Sequence, residues 1–239
     1  MDLKIFYMVS KCKYIKLQNR HYKINIKKDK RAKRIILKVS NIDGNISITL
    51  PKYESEKRGL KFLLKNQEWA LKQLNSFPKK VPFKNLSEIP YMGKMHKIIH
   101  LSKSGNLIYI YKNQIVFFGK KENLSKNIKS WLYGKAKNEI IKLANLNVSY
   151  LGKKYNKIYI KDLKSSWGIC GPSGNISFSW RLILAPKHVM EYIVVHELCH
   201  LVEFNHGKEF WQLVTAIFPQ RDLSQNWLKI NGVKLHMIG

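Results

Sequence analysis

The stretch Tyr192-Ile-Val-Val-His-Glu-Leu-Cys-His-Leu-Val-Glu-Phe-Asn-His206 decides how the chain reads. It holds His-Glu-x-x-His, from His196 to His200, and a third histidine at 206. On a helix, side chains four positions apart share one face and lean the same way, so His196 and His200 can grip one metal ion together. Glu197 lies about 100° further round the helix, within reach of a water on that metal without ligating the metal itself. This is where a general base belongs. Three imidazole nitrogens leave the fourth position on zinc (Zn2+) open, the mark of a catalytic site. Zinc brings the pKa of a bound water to about 7, and Glu197 takes its proton, so that hydroxide attacks a carbonyl or a phosphorus centre. Glu209 is a reserve ligand should His206 point away.

Working outward, Pro186 suits the first position of the metal helix. That helix is expected to run to about Phe204, with Asn205 in the left-handed conformation that ends a helix and turns His206 back toward the metal. Lys208 to Phe218 reads as a further helix, closed by Pro219. Before the metal helix come strand signals at Lys157–Ile160, Ser165–Cys170 and Ile176–Leu184, the last two joined through Gly171-Pro-Ser-Gly174. Ile176–Arg181 is read as an edge strand able to hold an extended peptide by backbone pairing. Arg181 is a candidate to orient substrate, against the alternative of a structural ion pair. Trp180 and Asn205 are candidate substrate contacts as well, although core packing is the simpler role for Trp167, Trp180 and Trp211.

The preceding residues read as β-rich. Lys23–Ile26, Ile35–Val39 and Asn45–Leu50 have strand character, and Asn41-Ile-Asp-Gly44 is a turn signal, which suggests a basic antiparallel hairpin ending at Pro51. Leucines and Trp69 at helical spacing predict one helix over about 54–77, with Trp69 in the core. Residues 79–90 form a connector, strands at 97–101, 107–111 and 114–118 a small meander, and Leu124 to about Asn145 a second long helix. The fold class is α+β, divided into residues 1–122 and 123–239.

The net charge is +29, and residues 1–164 carry 38 Lys+Arg against 10 Asp+Glu, whereas residues 165–239 carry 6 against 5. Such a field draws anionic partners, including nucleic acid without sequence preference. Codon bias competes as an explanation, because only 6 of the 44 basic residues are Arg, the residue that base readers favour. Cys12, Cys170 and Cys199 form no Cys-x-x-Cys pair and fit a reducing compartment. No apolar run is long enough to span a membrane, and no signal-peptide core is present, so a cytoplasmic location is expected.

Three segments together carry a family resemblance: Ser166-Trp-Gly-Ile-Cys170, Gly174-Asn-Ile-Ser-Phe-Ser-Trp-Arg-Leu-Ile-Leu-Ala-Pro186 and Val195-His-Glu-Leu-Cys-His-Leu-Val-Glu-Phe-Asn-His-Gly-Lys-Glu-Phe-Trp211. They resemble the YgjP-like metallopeptidase family, which is related to the SprT-like zinc proteases. The basic hairpin and the helix holding Gln67-Glu-Trp69 resemble its N-terminal part, which implies one continuous domain over about 20–235, ending in a zincin-like module. The resemblance implies His196, His200 and His206 as zinc ligands and Glu197 as general base. His206 follows His196 at the metzincin spacing, with Glu203 in place of the metzincin glycine.

The implied activity is a zinc metallopeptidase acting on a peptide or protein. Nucleotide pyrophosphatase activity toward UTP, also attributed to the YgjP group, is the alternative. The non-enzymatic alternative is a polyanion-binding protein with structural zinc, in which Glu197 has no purpose.

Overall fold

The computed structural model describes residues 6–9, 12–40, 44–75, 78–102 and 104–239. The chain is mixed α+β and divides into two compact units, Met1–Pro78 and Lys79–Gly239. The boundary therefore lies at Pro78 and not after residue 122. The strands between 88 and 118 share a hydrophobic core with the helix that follows them, which ties them to the C-terminal unit.

In the first unit, β1 (Phe6–Val9), β2 (Cys12–Leu17), β3 (Arg20–Asp29), β4 (Ile36–Val39) and β5 (Ile46–Pro51) form one sheet in the order β1-β2-β3-β5-β4. β4 and β5 make the expected antiparallel hairpin, whereas β3 joins β5 in parallel. Gly44 closes the hairpin at φ 66°; Asn41 to Asp43 of that turn signal lie outside the described residues. One sheet face buries Ile15, Leu17, Ile24, Ile46, Ile48 and Leu50 with Leu60, Leu63, Ala70 and Leu71 of the helices. Gly59 allows this close approach, because a Cβ there would lie 2.8 Å from Leu50 Cδ2.

The single helix expected over 54–77 is two, α1 (Glu56–Lys65) and α2 (Gln67–Asn75). Asn66 interrupts it with φ −108° and ψ 24°, its side-chain amide donating to the Phe62 carbonyl at 2.8 Å. A short amide that competes for backbone groups is a helix breaker. Trp69, expected in the core, is 44% exposed.

The second unit opens with β6 (Glu88–Tyr91), β7 (Lys94–Leu101), β8 (Ile108–Tyr111) and β9 (Gln114–Phe118), in the order β6-β7-β9-β8. It is not a meander, since β7 and β9 run parallel and side by side. Ile115, Val116 and Phe117 are all buried, which demands a central position for β9, while the exposed β8 takes the edge.

Next comes α3 (Leu124–Val148), burying Leu124, Ile128, Leu132, Ala136, Ile140 and Leu143 along one stripe. A second small sheet joins β10 (Lys157–Lys161), β11 (Gly168–Cys170) and β12 (Asn175–Ser179) in the order β10-β12-β11. The strand expected to continue to Leu184 stops at Ser179, where residues 180–184 wind into a fully buried 3-10 turn. β12 is thus central, and β10 and β11 are the edge strands.

Three helices complete the unit: α4 (Lys187–Cys199), α5 (Lys208–Ile217) and α6 (Arg221–His236). In the last, Leu223 and Ile230 are at helical spacing but exposed, while Trp227, Leu228 and Leu235 pack on the core. It also packs through small residues, with Ser224 Oγ donating to the His188 carbonyl at 3.2 Å and Gly232 beneath Trp167. Among the described residues, no helix is long and apolar enough to cross a membrane.

Candidate metal centre

The helix α4 is buried almost all round, with Val189, Met190, Tyr192, Ile193, Val194, Val195, Leu198 and Cys199 in the core. A helix held on every side is a rigid mount for the groups it displays. It ends at His200, four residues short of the expected stop at Phe204, in tight turns from Leu201 to Leu198 and from Val202 and Glu203 to Cys199. Asn205 is not in the left-handed region. Those turns reverse the chain in its place and bring His206 back over the helix end.

The result is a cluster in which His196, His200 and His206 each offer one ligand atom within 4.8 Å of the others. His196 Nε2 and His206 Nε2 are 3.1 Å apart. Tetrahedral zinc with Zn–N bonds of about 2.0–2.1 Å spaces its nitrogens roughly 3.3 Å apart, so the pair fits such an ion. His200 Nδ1 lies 2.9 Å from the Glu203 carbonyl oxygen. A carbonyl only accepts, so Nδ1 carries the proton and Nε2 keeps its lone pair for a metal.

Burial, then the neighbouring His200 and His206 imidazoles, push His196 down to about 3, and burial lowers His200 too. Both are therefore neutral near pH 7, the form that ligates. Glu209, the reserve ligand, is outside the trio.

Phe210 forms the floor, its ring centroid 4.9, 4.5 and 4.8 Å from those of His196, His200 and His206. Trp211 flanks His196 and His206 at 5.8 and 5.6 Å. Neither aromatic was foreseen at the site, although Phe210-Trp211 follows His206 so closely that the first turn of α5 has to carry them past it. Removing one imidazole from this arrangement is expected to weaken zinc binding by at least about 100-fold, more than the loss typical of an outer partner. Titrating His206→Ala against a chromophoric chelator measures it, and unchanged affinity would remove His206 from the ligand set.

Glu197 is 6% exposed and its carboxyl rests against β11. A Cβ on Gly168 would lie 2.4 Å from Glu197 Cγ and 2.6 Å from Oε1, so only glycine leaves room. The Cys170 backbone N–H donates to the carboxylate, but burial dominates and raises Glu197 to about 7. Burial and the Glu197 charge raise the Cys170 thiol in turn to about 11.

The backbone groups of Trp167 and Gly171 face β12, through Ser179 N–H to the Trp167 carbonyl and Gly171 N–H to the Asn175 carbonyl, both at 2.9 Å. By antiparallel alternation those of Gly168 and Cys170 point away from β12, along the open edge. This edge, Tyr192, Phe204 and the histidines line a cleft of about 400 Å³. The edge strand beside the metal helix is therefore β11 and not Ile176–Arg181.

The three candidate substrate contacts lie elsewhere. Trp180 is fully buried, its ring stacked 5.4 Å from Tyr133. Arg181, 6% exposed, bonds Asp162 through Nη1 and lies 4.5 Å over the Trp180 ring. Asn205 is exposed and outside the cleft lining. Asp162 is held below the usual carboxylate range by Arg181 and Lys129, against the effect of its partial burial. Asp162→Asn is expected to cost about 1–3 kcal/mol in thermal unfolding by stranding the Arg181 charge, with zinc content unchanged. A loss of metal instead would tie Arg181 to the site.

Searches of curated proteins and of solved structures return no match. The model of the YgjP-like metallopeptidase domain matches residues 33–231, across both compact units and all three histidines. With most of its length under that match, the chain belongs to the YgjP-like metallopeptidase family.

Proposed function

We propose that the protein is a zinc-dependent peptidase in which His196, His200 and His206 hold the metal, Glu197 is the general base and β11 holds the substrate. The observation that carries this reading is the placement of an open strand edge, the Glu197 carboxyl and three imidazoles around one cleft. When bound, zinc supplies Lewis-acid activation of water and of the carbonyl under attack.

The chain's own residues do the rest. The Gly168 N–H and carbonyl and the Cys170 carbonyl pair with an extended peptide and align its scissile bond, while the Cys170 N–H holds Glu197. Glu197, with its pKa near neutrality, accepts a proton from the attacking water and delivers it to the leaving amine nitrogen as the C–N bond breaks. His200, pinned by the Glu203 carbonyl, keeps its ring orientation throughout.

The cleft lining favours peptide over nucleoside triphosphate. None of the described Lys and Arg residues lines it, and a triphosphate needs cationic partners. Stripping the protein of metal and restoring it with zinc, with an unfolded protein and UTP offered in parallel, tests both. Expected is peptide cleavage that disappears with the metal and returns with zinc, and no release of pyrophosphate. Zinc-dependent UTP cleavage without proteolysis would overturn the proposal.

A further inference from the structure

The active-site unit does not use the most uneven feature of the chain, the distribution of charge over residues 1–78, which hold 19 Lys+Arg against 6 Asp+Glu. The five-stranded sheet covers one face with α1 and α2 and leaves the other without a helix. Strand alternation places Lys16, Lys23, Lys27 and Lys38 on that second face, all exposed, among Tyr14, His21, Asn25, Ser47 and Thr49. Lys23, Asn25 and Lys27 follow one another along β3 at about 6.7 Å, a step comparable to that between successive phosphates of a nucleotide chain. Residues 27–34, which read Lys-Lys-Asp-Lys-Arg-Ala-Lys-Arg, run from the end of β3 into its connection to β4.

Among the described residues this face carries one carboxylate, Asp29, which follows Lys23, Asn25 and Lys27 along β3. Asp29 is the one acidic residue in the five strands, and it is engaged by the Arg31 backbone N–H at 2.9 Å, which orders the basic turn. Glu54 and Glu56 lie on the helical side, paired with Arg58 and Lys13, and Glu68 is in α2. Codon bias raises the number of lysines but does not set four of them against a single carboxylate on one face of a sheet.

We propose that this open face, with the basic β3–β4 turn at its end, is a nucleic-acid interface that grips the sugar–phosphate backbone of duplex DNA or RNA without reading sequence. Lysine point charges with hydroxyl and amide neighbours suit phosphate contacts, whereas base-edge readout calls for Arg forks. An acidic membrane surface would favour exposed apolar side chains beside the cations. Among the described residues of this face, Ile36 is the one exposed large aliphatic.

The test compares two full-length variants of equal charge by fluorescence anisotropy with a labelled duplex of arbitrary sequence. One replaces Lys16, Lys23, Lys27 and Lys38 with Gln; the other replaces Lys57, Lys61, Lys65 and Lys72 of α1 and α2. Circular dichroism melts establish that both fold. Expected is a loss of at least 30-fold in the first, less than about 3-fold in the second, and a salt slope in log K reduced by about 3–4 in the first alone. Equal losses would assign binding to bulk charge and overturn the proposal. So would a wild-type protein that fails to bind duplex at 0.1 M salt, or one that binds anionic phosphatidylserine vesicles through the same lysines but not duplex.

Discussion

Glu197→Gln is expected to lower peptide hydrolysis by roughly 10²–10⁴-fold, the usual weight of a positioned proton acceptor, while zinc stays bound. The amide preserves the shape of the side chain against Gly168 and can still accept from the Cys170 N–H, so neither β11 nor the histidines lose support. It cannot take a proton from water. A variant that keeps zinc and full turnover would remove Glu197 from the chemistry.

The same substitution has a second, independent readout in the metal-free protein. Glu197 ionises at about 7 in the folded chain against 4.5 ordinarily, because burial penalises its charge. Between those values the unfolded chain has released the proton and the folded chain has kept it, so rising pH favours unfolding. The cost is absent below about pH 4.5, grows up to about pH 7, and levels off above that at on the order of 3 kcal/mol. Glutamine carries no such cost. The stability of Glu197→Gln over wild type is therefore expected to grow from pH 5 to pH 8 in thermal melts, and a gap that is flat with pH would mean that the carboxyl is solvated.

Gly168→Ala is the other substitution with a large expected effect. Its methyl group would lie 2.4, 2.6 and 2.7 Å from Glu197 Cγ, Oε1 and Cδ, closer than nonbonded carbon contacts permit. Either Glu197 rotates off the strand or β11 shifts outward. Both outcomes move the base relative to the bound peptide, and displacement of about 1 Å at a reacting group costs on the order of 100-fold in rate. Zinc content should not change, because the three atoms nearest the added methyl all belong to Glu197. The loss should vanish in the Glu197→Gln background, since the methyl acts through that carboxyl. An alanine variant at full rate, or one equally damaging in the absence of Glu197, would show that Gly168 does not position the base.

Much of this site was legible along the chain. The His196, Glu197 and His200 arrangement follows from helix geometry, which is local, so spacing alone sufficed to put the two imidazoles on one face. The return of His206 was expected too, though through a left-handed Asn205; the chain instead turns by hydrogen bonds from Leu201, Val202 and Glu203 back to the last turn of α4. The wall of the cleft was harder to read. Whether Ile176–Arg181 or Ser165–Cys170 is the edge depends on which strand β10 pairs with, a partnership between residues far apart in sequence.

The sequence by itself determined the α+β class, the basic first part, the metal-binding helix and its ligand and base candidates, because these depend on composition and on periodicities a few residues long. Tertiary structure alone decided the break at Asn66, the exposure of Trp69, the order of the strands and the burial of Arg181 with Asp162. It also decided that Gly168 lies under Glu197 and Phe210 under three histidines. Each of these is settled by which surfaces are removed from water together, a property of the packed chain and not of any one segment.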